Sequence, residues 1–388
     1  MIGPGTLERL VAASPYNVVR LILPAASETA AALLRDWLAD GALTADDVPA
    51  LYVYEQRGDG WSQRGLIGLI AVGTGAVLPH EGVMPGPVAG RRELMKATRS
   101  NLEPILLVYH GGAGDGGHGG PAAPGAASRL TDQTAQSQPP LAAAVTRDGT
   151  AHRLWAVTDQ AVQAAVAADL ATRTALIADG HHRYAAYRGL QEEMREAGAG
   201  AGPWDYGLAF LVDADAYPLR LGAIHRVLPR LAPAEAARLA AAAFTVTPVP
   251  VAAAMSRLAA AAASGTAFLL AGEEGFWLLT DPDQDQLAAA MPPEASPRWR
   301  ALDASVLQEL LLARLWSITD NERDVLIAHD ADEAVQLAAD SGGTAVICNP
   351  MPLAAVMDIA AHGEKVPRKS TSFGPKPRTG FVLRTFEP

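Results

Sequence analysis

Ala178-Asp179-Gly180-His181-His182-Arg183-Tyr184 is the stretch that decides how this chain is read. The apolar run Thr174-Ala175-Leu176-Ile177 predicts a strand that feeds straight into it, and the spacing beyond predicts a helix from about 182 to 196. A turn from strand to helix aims backbone N–H groups at whatever sits before the helix, which favours an anion. Gly180 allows a positive φ or a close backbone approach. Arg183 supplies a planar, permanently charged fork suited to phosphate. His181 and His182 titrate near neutrality, so they can donate to phosphate oxygens or move protons. Asp179 can orient a histidine, bind a magnesium ion or accept a substrate proton. So many polar residues at the end of an apolar strand are costly unless used. The segment is therefore read as a phosphate-handling active-site loop. A helix cap with a structural hydrogen-bond cluster is the bland alternative.

Outward from the loop, strand and helix signals alternate. A helix is expected over 27–39, with strands at 51–56 and 65–72 around the turn residues Gly58-Asp59-Gly60. A helix near 90–100 and the strand Ile105-Leu106-Leu107-Val108-Tyr109 follow. Residues 110–140 are expected to form a Gly-rich mobile loop, since glycine at the density of 111–120 cannot repay its ordering entropy. Residues 141–157 read as a hairpin around Asp148-Gly149, and 159–171 as a helix. The stretch 198–203 reads as a linker, dividing an N-terminal domain (1–200) from a C-terminal one (201–388). The second part alternates again, with strands expected at 208–212, 223–228, 268–270, 276–279, 325–327 and 344–348 and helices near 233–243, 303–315, 331–339 and 353–362. The tail from Arg368 to Gly380 is basic and rich in turn residues, and Phe381-Val382-Leu383 is expected to end it as a strand. The fold class is α/β of mixed type, without internal repeats.

The chain has 388 residues, 49% of them apolar, which is enough for two cores. A net charge of −11 argues against nucleic acid as a partner, because duplex binding relies on a basic footprint. The single cysteine, Cys348, forms no intrachain disulfide and reads as a small buried hydrophobe. No apolar run is long enough for a bilayer and no leader pattern opens the chain, so the expected location is the cytoplasm, with no membrane partner. His110 and His118 lie in the Gly-rich tract and make a poor metal site. No P-loop, dinucleotide fingerprint or nucleophile elbow is present.

A second motif, Pro79-His80-Glu81, is read as the end of a strand. It is followed by a Pro-rich loop, Arg91 or Arg92, a helix, Pro104-Ile105 and then the Asp-Gly-His-His-Arg loop. With Pro15-Tyr16-Asn17-Val18-Val19, Tyr52-Val53-Tyr54, His225-Arg226-Val227 and the ending Pro367-Arg368-Lys369-Ser370-Thr371…Pro375-Lys376-Pro377-Arg378-Thr379-Gly380, these stretches resemble the family catalogued as domain of unknown function 1015. The likeness covers most of the chain.

The order of motifs also resembles, more remotely, the ParB/sulfiredoxin-like fold, whose free-serine kinases carry Asp-Gly-His-His-Arg and a glutamate near the start of the domain. Two departures stand out: the long insertion between Tyr109 and Thr174, and Asn17 where Asp is usual. The resemblance implies a ParB/sulfiredoxin-like core with mixed α/β extensions. It also implies ATP or ADP with Mg2+ as cofactors and transfer of a phosphate to a small hydroxylated metabolite such as serine. Glu81, Asp179 and His182 are then the catalytic candidates. Gly180, His181, His182, Arg183, Tyr184, Lys369, Lys376 and Arg378 would hold the nucleotide, His80, His225 and Arg226 the substrate, and Asp179 the metal. A homodimer is allowed. Two other classes stay open: a metal-dependent hydrolase or lyase built on Asp179, His181, His182 and His225, and a non-catalytic nucleotide sensor.

Overall fold

The computed structural model describes residues 4–112 and 124–386. The chain divides into two units, one of Met1–Leu219 with Pro375–Pro388 and one of Arg220–Gly374.

The first unit is built on an eight-stranded mixed sheet. Its strands are β1 (Leu51–Gly58), β2 (Trp61–Ala71), β3 (Val77–Leu78), β5 (Ile105–Tyr109), β6 (Ala142–Val145), β7 (Ala151–Val157), β8 (Ala175–Asp179) and β9 (Tyr206–Asp213). They lie in the order β3-β8-β5-β9-β2-β1-β7-β6. The short strand β4 (Ser100–Asn101) pairs instead with Arg384–Thr385. Gly60 takes a φ of 67° in the β1–β2 turn and Gly149 a φ of 80° in the β6–β7 turn, the backbone region that tight hairpins require. At the centre, β5 runs parallel to β9 and every one of its residues is buried, as expected for a strand covered on both faces.

Seven α-helices belong to this unit among the described residues: α1 (Pro4–Ala13), α2 (Val19–Ile22), α3 (Ser27–Ala39), α4 (Pro85–Thr98), α5 (Ala126–Ser137), α6 (Gln160–Leu170) and α7 (His181–Glu196). Asp159 caps α6 by accepting from the N–H groups of Ala161 and Val162. The core joins Ile105, Leu107, Ile177, Tyr184, Tyr187 and Leu211. A separate cluster of Leu21, Leu34, Trp37, Leu94 and Leu102 seats α2 and α3.

The second unit carries a six-stranded antiparallel sheet of β11 (His225–Leu228), β12 (Thr245–Pro248), β13 (Phe268–Gly272), β14 (Gly275–Thr280), β15 (Leu326–Ala328) and β16 (Thr344–Cys348). Along β13 the side chains alternate between two cores, Phe268 and Leu270 on one face and Leu269 and Ala271 on the other. A further pair, β10 (Arg220–Gly222) with β17 (Ser372–Gly374), completes the unit.

Several expectations are corrected. The strand before the His-Glu pair ends at Leu78, so Glu81 stands in a loop. The helix expected near 90–100 starts earlier, at Pro85, because proline fits a first helical turn where its missing N–H costs nothing. Within the tract expected to be mobile, Ala126–Ser137 forms α5, with Ala127, Ser128 and Thr131 buried. Residues 113–123, including His118, lie outside the described residues. Helix 303–315 is α-helical only to Val306 and π-helical from Leu307 to Leu315. The strand expected at 381–383 is instead Arg384–Thr385. Finally, Tyr206–Asp213 lies beyond the expected boundary at 200 yet pairs with both β2 and β5, which carries the first unit on to Leu219.

Candidate active site

β8 ends on Asp179 and α7 starts at His181, so the whole turn is Gly180. Its φ of 102° is a left-handed conformation, and a Cβ there would lie 2.8 Å from Ile105 Cγ2 and 3.2 Å from Arg183 Nε. Glycine is required on both counts. The Gly180 carbonyl accepts from Tyr184 N at 2.9 Å, closing the first helical turn, and no side chain caps α7.

Asp179 stands between two cations. Arg183 Nη2 lies 2.5 Å from its Oδ2 and Lys376 Nζ lies 2.6 Å from its Oδ1. Burial pushes the Asp179 carboxyl upward, but Arg183 and Lys376 together outweigh it and hold the group below the ordinary carboxylate value. Arg183 also donates to the Pro104 carbonyl at 2.6 Å, and Glu103 Oε1 stands 4.0 Å away. Burial pulls the guanidinium down, and Glu103 and Asp179 more than restore it, so the charge is permanent.

These contacts correct two expectations. The Arg183 fork is spent on protein acceptors and does not face outward toward a phosphate. Tyr184, expected at the nucleotide, is 5% exposed and belongs to the core.

The two histidines do something the sequence did not foretell: both accept hydrogen bonds from the loop that carries Glu81. His80 N donates to His181 Nε2 at 3.3 Å, and Met84 N donates to His182 Nε2 at 3.1 Å. With Nε2 accepting, each neutral ring carries its hydrogen on Nδ1. His181 Nδ1 then faces Glu81 Oε2 at 3.8 Å. The two motifs, about a hundred residues apart, therefore share one site. Glu81 keeps access to solvent, with its side chain 26% exposed.

His80, expected to touch substrate, is instead 1% exposed and meets His181 edge-on with ring centroids 4.5 Å apart. Burial, and then the neighbouring His181, lower its pKa to about 3, so it stays neutral and supports the loop.

The C-terminal tail delivers Lys376. Gln56 Nε2 donates to the Pro375 carbonyl at 3.2 Å, and Arg378 N donates to Tyr54 Oη at 3.1 Å. These two contacts, from residues two apart on β1, grip the main chain on either side of Lys376. Thr379 Oγ1 donates to Glu103 Oε1 at 3.3 Å, and Arg91 Nη1 lies 3.2 Å from Glu103 Oε2. Glu103 thus ties α4, α7 and the tail together, yet nothing in Asn101-Leu102-Glu103-Pro104 marked it out. Gln56 was equally hidden, and Tyr54, though part of the motif Tyr52-Val53-Tyr54, gave no hint of its partner, since a strand residue's contact across the fold leaves no local signal.

The remaining candidates, His225, Arg226 and Lys369, belong to the second unit. There His225 Nδ1 accepts from Cys348 N at 3.2 Å, and Arg226 donates to the Arg368 and Lys369 carbonyls at 2.8 and 3.0 Å. Both side chains are buried and spent on that unit's own main chain. Among the described residues, no three His, Cys, Asp or Glu side chains form a group that could hold a metal ion. No helix of the described residues is long and apolar enough to cross a membrane.

Several solved structures are similar to the chain. A free serine kinase variant in complex with ADP is 14% identical, over 85% of this chain and 92% of its own, at a TM-score of 0.39. A conserved hypothetical protein from Pyrococcus furiosus is 14% identical, over 83% and 96%, at a TM-score of 0.36. SbnI with a C-terminal truncation, from Staphylococcus aureus, is 10% identical, over 80% and 84%, at a TM-score of 0.39. No curated protein matches the chain. The family described as "Protein of unknown function (DUF1015)" matches residues 1–305, and the chain belongs to it.

Proposed function

We propose that the chain is a phosphotransferase that moves a phosphate from ATP or ADP to the hydroxyl of a small metabolite, serine or a related hydroxy amino acid among them. The observation that carries this is the placement of the Glu81 carboxylate 3.8 Å from His181, at the uncapped start of α7, with Lys376 closing on the same turn. The helix start and Lys376 supply positive potential for phosphate oxygens, and His182 adds a titratable ring. Phosphoryl transfer asks mainly for such positioning and charge neutralisation.

In the step itself, Glu81 takes the hydroxyl proton. The acceptor oxygen forms a bond to the terminal phosphorus, and the bond from that phosphorus to the bridging oxygen breaks. ATP leaves as ADP, or ADP as AMP. Neutral His181, presenting Nδ1–H, orients the carboxylate. The tail's part is to hold Lys376, and Arg183 acts through Asp179 rather than on phosphate.

Magnesium is expected with such a nucleotide. However, both Asp179 oxygens face cations, and the described residues offer no converging ligand set, so the residues do not form a protein-held magnesium site. The same facts leave the hydrolase alternative without ligands among the described residues.

The test is turnover of purified full-length chain with ATP or ADP, magnesium and a panel of hydroxy amino acids, wild type against Glu81→Gln. Transfer to one acceptor, reduced a hundredfold or more in Glu81→Gln, is the expected result given the 10²–10⁴-fold worth of a general base. Nucleotide binding without turnover would mark a sensor, and equal rates in the two proteins would remove Glu81 as the base.

A further inference from the structure

Two stretches singled out in the sequence, Tyr16-Asn17-Val18 and Arg378-Thr379-Gly380, have no part in the proposed transfer step. They meet in the first unit around one cavity of about 380 Å3. We infer that this cavity is a binding site for a small organic anion with an apolar or aromatic body. The volume is that of a small-molecule pocket, and the lining has the expected mixture of apolar wall and few polar groups.

Trp37 and Phe381 give the apolar wall, with Tyr16 edge-on to Trp37 at 5.8 Å. No Asp or Glu lines the cavity, and its one charged side chain is Arg378. The main chain of Arg378 is pinned by Tyr54, but among the described residues no hydrogen bond or ion pair engages its guanidinium. Three other arginines of this unit are committed: Arg20 to the Ser14 and Val11 carbonyls, Arg91 to Ile22 O and Glu103, and Arg183 to Asp179 and Pro104 O.

Asn17 spends its Oδ1 on Val19 N at 3.1 Å, which leaves the carboxamide N–H2 as a donor. Thr379 spends its hydroxyl on Glu103, so it forms wall rather than contact. The lining therefore offers a fork and an amide donor and no carboxylate of its own; Asp148 acts on Arg378 only through its charge and Asp40 is bonded to the Tyr16 hydroxyl, so the combination favours a carboxylate or a phosphate monoester over an ammonium. Because only Pro377 separates Arg378 from Lys376, an occupant would also order the segment that reaches Asp179.

Calorimetry of the full chain, without nucleotide, tests this with three probes of one shape: 3-phenylpropionate, phenyl phosphate and neutral 3-phenylpropanol. One anion should bind at least tenfold more tightly than the alcohol, and which one it is separates a carboxylate pocket from a phosphate pocket. Arg378→Met should weaken that anion tenfold or more and Arg378→Lys less so, with melting temperatures near wild type because the side chain is exposed. Glu81→Gln should bind like wild type, so the site stands even where phosphotransfer fails. Equal binding of the alcohol, unchanged affinity in Arg378→Met, loss of binding in Glu81→Gln, or no heat from either anion would each overturn the assignment.

Discussion

Lys376 Nζ lies 2.6 Å from Asp179 Oδ1, which makes a residue twelve positions before Pro388 part of the turn that opens α7. The pair is unequal: the lysine side chain is 60% exposed and the aspartate 22%. Lys376→Met should therefore change stability little, since exposed ion pairs contribute little. It should nonetheless raise the Asp179 titration toward its ordinary value, because one of its two compensating cations is gone while its burial remains. Carbon-detected NMR of the labelled carboxyl measures this directly, and an unmoved Asp179 would show that the tail does not close on the turn.

Asp179→Asn probes the other partner. It leaves Arg183 buried with neutral acceptors, the Asn carboxamide oxygen and the Pro104 carbonyl, and with its nearest remaining carboxylate 4.0 Å away. Breaking a buried pair by removing one member costs about 3–5 kcal/mol, because the remaining charge is uncompensated. Urea denaturation should show a loss of that order. A loss under about 1 kcal/mol would mean that Glu103 alone can neutralise the arginine, as in an exposed pair.

His80 sets an acid limit on stability. In the unfolded chain it protonates near 6.5, and in the folded chain burial moves this to about 3. Between those values the unfolded state binds more protons, so the full stability exists above 6.5 and declines as the pH falls. One such group contributes up to about 1.4 kcal/mol per pH unit in that window. His152 and His225 are also lowered by burial and act in the same direction. Stability measured from pH 7 to pH 5, above the main carboxylate range, should fall in wild type and fall less steeply in His80→Gln. Identical slopes would show that His80 can protonate in the fold.

What the sequence disclosed follows from where the information is local. Asp179 to Arg183 stood out because polar residues at the end of an apolar strand need a reason. The partnership with Glu81 followed from motif order, and Ser27–Ala39 showed a clear apolar stripe. Roles inside the motif were another matter. Whether Arg183 faces a phosphate or Asp179, and whether Tyr184 faces a ligand or the core, depends on how Glu103 and Pro104 pack behind the loop. Nothing in the spacing of 178–184 encodes that. The π-helical stretch at Leu307–Leu315 was likewise invisible, because π and α segments share the same apolar composition.

Gly180→Ala tests the turn. The new Cβ would meet Ile105 2.8 Å away at a φ of 102°, so strain comes from both contact and backbone. A residue held in a sparsely populated backbone region costs about 1–3 kcal/mol. Relieving only the contact, with Gly180→Ala in an Ile105→Ala background, should not restore the wild-type melting temperature beyond that of Ile105→Ala alone. Zero cost of Gly180→Ala in that background, which is full coupling between the two sites, would place the whole penalty on the side-chain contact and none on φ.

Tyr54→Phe isolates the grip on the tail. The tyrosine is fully buried, and its hydroxyl accepts from Arg378 N and meets His152 Nδ1 at 2.8 Å. The phenylalanine ring fills the same space and removes only the oxygen, which leaves one backbone donor and one ring nitrogen without their partner. A buried group left in that condition costs about 1–3 kcal/mol. Because Arg378 N lies two residues after Lys376, the loss should concentrate on the tail. Hydrogen exchange should accelerate at residues 376–380 while β1 and β7, whose ladder is untouched, keep their protection. Uniform acceleration across the sheet would instead assign Tyr54 to the core and leave Lys376 held by Asp179 and Gln56 alone.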